Sequence, residues 1–98
     1  MSISEAQRRH LKKLAHHLKP VVIIGNAGLS ENVLNEIIIA LEHHELIKVR
    51  INASDKNERE NLVQEICGKT GADRVVSIGH VAVLYRAAEK VKIVLPKD

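Results

Sequence analysis

The sequence predicts a two-layer α/β fold: a four-stranded mixed sheet with three helices, in the order α-β-α-β-α-β-β. Three observations predict it. Apolar residues recur at helical spacing in three segments, short β-branched runs separate and follow those segments, and helix-capping residues stand at the junctions. With 98 residues and 45% hydrophobic content, the chain has the size of a single domain spanning residues 1–98.

Ser4 followed by Gln7 fits a capping box, and Leu11, Leu14, Ala15 and Leu18 repeat on one face, which predicts an amphipathic helix over residues 5–18. Lys19-Pro20 ends it, because the residue before proline is pushed out of the helical region. Val21 to Ile24, stopped by Gly25, predicts a short strand buried on both faces. Ser30 offers a second N-cap, and Val33, Leu34, Ile37, Ile38 and Leu41 mark the stripe of a helix over 31–43, with Ile39 on the opposite face.

In residues 46–51, Ile47, Val49 and Ile51 alternate with Lys48 and Arg50, the period of a strand with one packed and one wet face. Lys48 and Arg50 therefore project together. Asp55 with Glu58 fits a further capping box, Leu62, Val63, Ile66 and Cys67 form a third stripe, and Gly71 closes that helix near residue 70. Residues 74–78 and 81–85 predict two strands joined by a Gly79-His80 turn, and Lys92 to Leu95 extends the last strand or adds a short fifth. The two helical crossovers call for parallel pairs, and the final hairpin for an antiparallel one.

Charge is sorted along the chain. Residues 1–24 hold five basic residues and one acid, residues 25–47 hold four glutamates and no Lys or Arg, and the remainder is mixed, within a net charge of +3. Arg8, Arg9, Lys12, Lys13 and Lys19, with His16 and His17, give the first helical segment a nearly uninterrupted basic face, which favours an anionic partner. Lys48, Arg50 and Arg86 extend that surface if the fold brings them near. The apolar runs are far short of a bilayer span, so no membrane is expected. One cysteine and the lack of a secretory leader pattern point to the reducing cytoplasm.

Gly25-Asn26-Ala27-Gly28 precedes a helix N-terminus, where unpaired N–H groups and the absence of a Cβ let a phosphate approach the backbone. The ordinary alternative is a strand-to-helix turn that needs one glycine for its backbone and another for close packing. Gly68-Lys69-Thr70-Gly71 has the same spacing and is most simply a helix C-terminus. The adjacent pairs His16-His17 and His43-His44 diverge by about 100° on a helix, so no metal is expected. No catalytic motif is present, and neither cofactor nor small-molecule substrate is expected. Tyr85 is the sole aromatic residue, so bound nucleic acid would be held mainly by its phosphates and shape.

Three ordered stretches, QRRHLKKLAHHLKPVVIIGNAGLSENVL, ALEHHELIKVRI and TGADRVVSIGHVAVLYR, resemble the CRM domain (chloroplast RNA splicing and ribosome maturation), in particular its stand-alone bacterial YhbY form. The resemblance implies a fold similar to the C-terminal domain of translation initiation factor 3, and RNA binding without catalysis. It further implies association with precursors of the large ribosomal subunit and help in their assembly, with ribosomal proteins as further partners. Many members carry a basic residue between the two glycines. This chain has Asn26 and Ala27, so a phosphate there would rely on backbone N–H groups and on cations from elsewhere. The competing expectation is a protein-interaction module whose basic helix docks on a ribosomal protein or assembly factor. A small enzyme acting on a phosphorylated ligand at the first glycine loop is a third.

Overall fold

The computed structural model describes residues 3–97. Its elements follow the expected order: α1 (Glu5–Ala15), β1 (Pro20–Ile24), α2 (Glu31–His44), β2 (Leu46–Ile51), α3 (Lys56–Thr70), β3 (Asp73–Ile78) and β4 (Val81–Tyr85). Ser4 and Gln7 form the reciprocal capping box, Ser30 caps α2 through the Val33 N–H, and Gly71 ends α3 in the left-handed region. Asp55 does cap α3, but it accepts from Asn57 alone, so the box with Glu58 is not made. α1 stops at Ala15, three residues early, and the chain turns through a Leu18 N–H to Ala15 carbonyl bond before Pro20 opens β1.

The strands lie in the order β1-β2-β4-β3. β1 and β2 are parallel, while β4 is antiparallel to both its neighbours. The second expected parallel pair is therefore absent, because β4 inserts between β2 and β3. Composition explains the placement. Val81 to Tyr85 is apolar throughout and takes a central position with four consecutive buried residues, whereas Asp73, Arg74 and Ser77 suit β3 to an edge.

Each face of the sheet has its own core. α2 and α3 cover one face, packing Ile37, Leu41, Val63 and Ile66 on Val22, Ile24, Ile47, Val49, Ile51 and Leu84. α1 and the C-terminal segment cover the other, where Leu11 and Ala15 meet Leu46, Val75, Val83 and Tyr85, with Ile93 and Leu95 at the margin. β1 departs from expectation here. Val22 and Ile24 are buried, but Val21 and Ile23 are 51% and 59% exposed, because α1 does not reach over them.

The segment after Tyr85 forms no strand. Both edges of β4 are taken, and the backbone is satisfied instead by Glu45, which is fully buried and has a positive φ of 62°. Its carboxylate accepts from the N–H groups of Ala88, Lys92 and Ile93 at 2.7, 2.8 and 2.6 Å, and its own carbonyl accepts from Arg86 at 2.9 Å. Burial opposes ionisation of Glu45, yet those donors and the Lys92 ammonium outweigh it and hold its pKa below the usual carboxylate value.

Glu45→Ala is expected to destabilise the protein by about 2 kcal/mol or more, since it leaves the buried Ala88 N–H and the part-buried Lys92 and Ile93 N–H groups without their acceptor. Faster amide exchange at Ala88, Lys92 and Ile93 checks the cause. A carboxylate with a lowered folded pKa stabilises fully above the unfolded pKa, and the effect disappears as pH falls through the folded one. Denaturant titrations should therefore show acid-side stability falling less steeply in Glu45→Gln than in the parent.

Candidate nucleic-acid interface

The glycine turn sits at the C-terminal end of β1. Gly28 donates its N–H to the Gly25 carbonyl at 3.0 Å, closing the turn, and Ser30 then caps α2. Gly28 has φ +80°, which explains glycine at that position. Gly25 has neither a positive φ nor a neighbour that a Cβ would meet within 4 Å, so close packing explains neither glycine. The turn is open. Among the described residues, Asn26 and Ala27 donate their N–H groups to no protein acceptor, and both side chains are exposed. Glu31 already lies in the first turn of α2, so an anion would meet the exposed turn ahead of the helix end.

The cations divide into two groups. Arg9, Lys12, Lys13 and Lys19 are exposed, and none forms a salt bridge among the described residues. Helical spacing from the buried Leu11 and Ala15 turns Arg9, Lys12 and Lys13 away from the sheet. Lys48 and Arg50 lie on the α1 face of β2, in register with Pro20 and Ile23 of β1. Arg50 bonds to Asn52 through Nε at 3.1 Å, and the Asn52 N–H closes on the Ile24 carbonyl at 2.9 Å, so this arginine stands beside the root of the turn.

Two expected members belong elsewhere. Arg8 donates to the carbonyls of Arg74 and Val75, both at 3.0 Å, and lies 3.7 Å from Glu5; it fastens α1 to the β3 edge. Arg86 binds the Thr70 carbonyl at 2.9 Å and Glu42 at 2.7 Å, joining α3 to α2 on the opposite side. Apart from the Glu5 contact within α1, neither engagement was legible from a basic residue's position in sequence, because the carbonyls that hold Arg8 and both partners of Arg86 come from distant segments.

Charge sorted along the chain becomes charge sorted across the sheet. α1 carries four basic residues and one acid, α2 carries acids but no Lys or Arg, and α3 is balanced with three of each. The remaining titratable groups with displaced pKa values lie away from the turn. The Arg74 guanidinium lowers Glu60, and burial raises the Cys67 thiol and the Tyr85 hydroxyl. Among the described residues no group of three His, Cys, Asp or Glu side chains is placed to hold a metal, and no helix is long and apolar enough to cross a membrane.

The surface residues that sequence reasoning missed are Val21 and Ile23, assigned to a fully buried strand, and Ile78, assigned only to a strand. Ile23 and Ile78 are exposed on the side that carries Lys48 and Arg50, and Val21, exposed at the irregularity of β1, lines a groove with Leu14 and Leu18 of the α1 side. Their signal was present in the lysine and arginine of β2, since a face that holds two cations is not wholly covered.

The sequence pattern of the CRS1/YhbY (CRM) domain matches residues 3–86. An RNA-binding protein of Haemophilus influenzae is 48% identical over 96 residues, which cover 98% of this chain and 97% of that one. A probable RNA-binding protein of Pseudomonas aeruginosa is 41% identical over 90 residues, covering 92% and 86%. The solution structure of SAV1595 from Staphylococcus aureus, described as a candidate RNA-binding protein, is similar with a TM-score of 0.85 at 33% identity, covering 97% of this chain and 100% of that one.

Stability should separate the two glycines and two of the cations. Gly28→Ala is expected to cost about 1 kcal/mol because of its positive φ, whereas Gly25→Ala stays within about 0.5 kcal/mol. Arg8→Ala should lower the urea midpoint while Lys12→Ala leaves it in place, since Arg8 has protein partners to lose and Lys12 has none among the described residues.

Proposed function

Given that this chain belongs to the CRS1/YhbY (CRM) domain family, we propose that it is a cytoplasmic RNA-binding protein that engages precursor large-subunit ribosomal RNA and assists assembly of that subunit. One observation carries the RNA reading. Arg9, Lys12, Lys13, Lys19 and Lys48, which have no side-chain partner among the described residues, lie with Arg50 and the open glycine turn on or beside the α1 layer, while the acids of α2 lie on the other. The names of the relatives support RNA binding; the ribosomal partner is what the resemblance to the stand-alone bacterial form implies.

The mechanism is positional and electrostatic. Arg9, Lys12 and Lys13 on the outer side of α1 draw in the phosphate backbone and release its counterions. Gly25 lets a phosphate come close to the peptide N–H groups of Asn26 and Ala27, with Arg50 supplying the positive charge that these two residues lack. No bond is made or broken in this scheme, and the RNA is held without being changed.

A second reading has its own observation. A groove of about 440 Å³ runs between the end of α1 and the start of β1, lined by Leu14, Leu18, Val21 and Ile93, and it suits an apolar side chain of a ribosomal protein. Binding to such a purified protein, but not to protein-free RNA, would favour that role.

Affinity for large-subunit RNA, measured across a salt series, tests the proposal. The parent should lose affinity linearly on logarithmic axes, and Lys12→Glu with Lys13→Glu should make the slope shallower by about 1.5 as two phosphate contacts disappear. A flat response in both proteins rejects the electrostatic mechanism.

A further inference from the structure

α1 covers only part of its face of the sheet, and the register shows where its cover ends. Along β2, Leu46 is buried, Lys48 is half-buried and Arg50 is exposed, all on the α1 side. The row through Arg50 crosses all four strands: Ile23 pairs with Arg50, Arg50 with Val81, and Val81 with Ile78. Ile23 is 59% exposed and Ile78 64%. A shallow depression of about 250 Å³ between Pro20, Lys48, Ile78, Val81 and Val83 lies next to this row. With strands about 4.8 Å apart, the row spans about 14 Å.

Such a surface is unlike a solvated sheet face. A wet strand face normally carries mixed polar side chains, whereas this one sets isoleucines and a valine around two cations, with no acid in the row or the depression. The arginine stem lies among apolar neighbours while its guanidinium remains charged. Apolar area interleaved with positive charge matches a ligand that alternates flat, poorly hydrated groups with anions. Unpaired nucleotides have that composition, and a duplex, whose bases are hidden in the stack, does not. An acidic protein segment would match the charge, but the row continues directly into the open glycine turn at the end of β1, which is suited to phosphate.

We infer that the uncovered half of the sheet, centred on Ile23, Arg50, Val81 and Ile78, receives about two or three unpaired nucleotides, their bases resting on the aliphatic side chains and their phosphates meeting Lys48 and Arg50. This rests on the RNA-binding reading and adds to it the kind of RNA preferred: a structured element with a single-stranded extension. Aliphatic contacts replace the aromatic platforms of other sheet-based RNA binders, so the bases are held by apolar burial, with little sequence preference.

Two probes test it, a ribosomal RNA hairpin with a single-stranded tail and the same hairpin without one. The parent should bind the tailed hairpin more tightly. Ile23→Thr with Ile78→Thr, exposed strand positions where threonine is well accommodated, should remove about tenfold of that affinity and leave the blunt hairpin unaffected. Ile78→Tyr should raise affinity for the tailed probe several-fold by offering a stacking surface. Equal binding of both probes by the parent, or unchanged tail preference in all three proteins, overturns the inference while leaving RNA binding intact. Failure of the parent to bind either probe removes the RNA reading and this inference with it. Unchanged RNA affinity, with loss of self-association or of binding to a purified ribosomal protein in the threonine variant, would assign the row to that other occupant.

Discussion

One helix against two is the constraint from which the rest of this molecule follows. The sheet is four strands wide, about 14 Å between its outer strands, and a helix with its side chains is 10–12 Å across. α2 and α3 together cover one face, where buried residues extend from β1 to β4. α1 has eleven residues and its core contacts are confined to one end of the other face. β2 records the boundary in its own composition, apolar at Leu46 beneath the helix, then lysine, then arginine beyond it. Beyond the helix the face is only partly polar: Lys48 and Arg50 stand there among the exposed side chains of Ile23 and Ile78.

Glu45 keeps the incomplete layer in register. It occupies the turn from α2 into β2 with a backbone conformation few non-glycine residues adopt, and its buried carboxylate gathers the segment after Tyr85. Ile93 and Leu95 are thereby brought against the α1 core. Arg8 serves the same layer at the opposite edge by occupying two β3 carbonyls, which also blunts an edge that would otherwise invite strand pairing. Glu45 and Arg8, like Arg86, are engaged within the structure, whereas Arg9, Lys12, Lys13, Lys19 and Lys48 have no side-chain partner among the described residues.

Much of the architecture was legible because local chemistry and tertiary structure agree. The Ser4 and Ser30 caps, the Gly71 stop and the Gly79-His80 turn follow from residue type at short range. What the sequence withheld depended on distant partners. The burial of β1 on one side only reflects the reach of α1, the position of β4 reflects competition between strands for β2, and the failure of Lys92 to Leu95 to form a strand reflects a carboxylate nearly fifty residues earlier. Arg8 and Arg86 look like free cations in sequence for the same reason. The sequence alone does not separate packing from access at the glycine turn, and the space around Gly25 favours access.

Which face of the sheet meets RNA is the question on which the account turns, and amide chemical-shift mapping during titration with a ribosomal RNA fragment answers it directly. The largest shifts should fall on residues 25–28, on Lys48 and Arg50, and on the outward side of α1, with α2 and α3 unaffected beyond their first turns. Shifts centred on α2 and α3, or scattered evenly over both layers, would contradict the account.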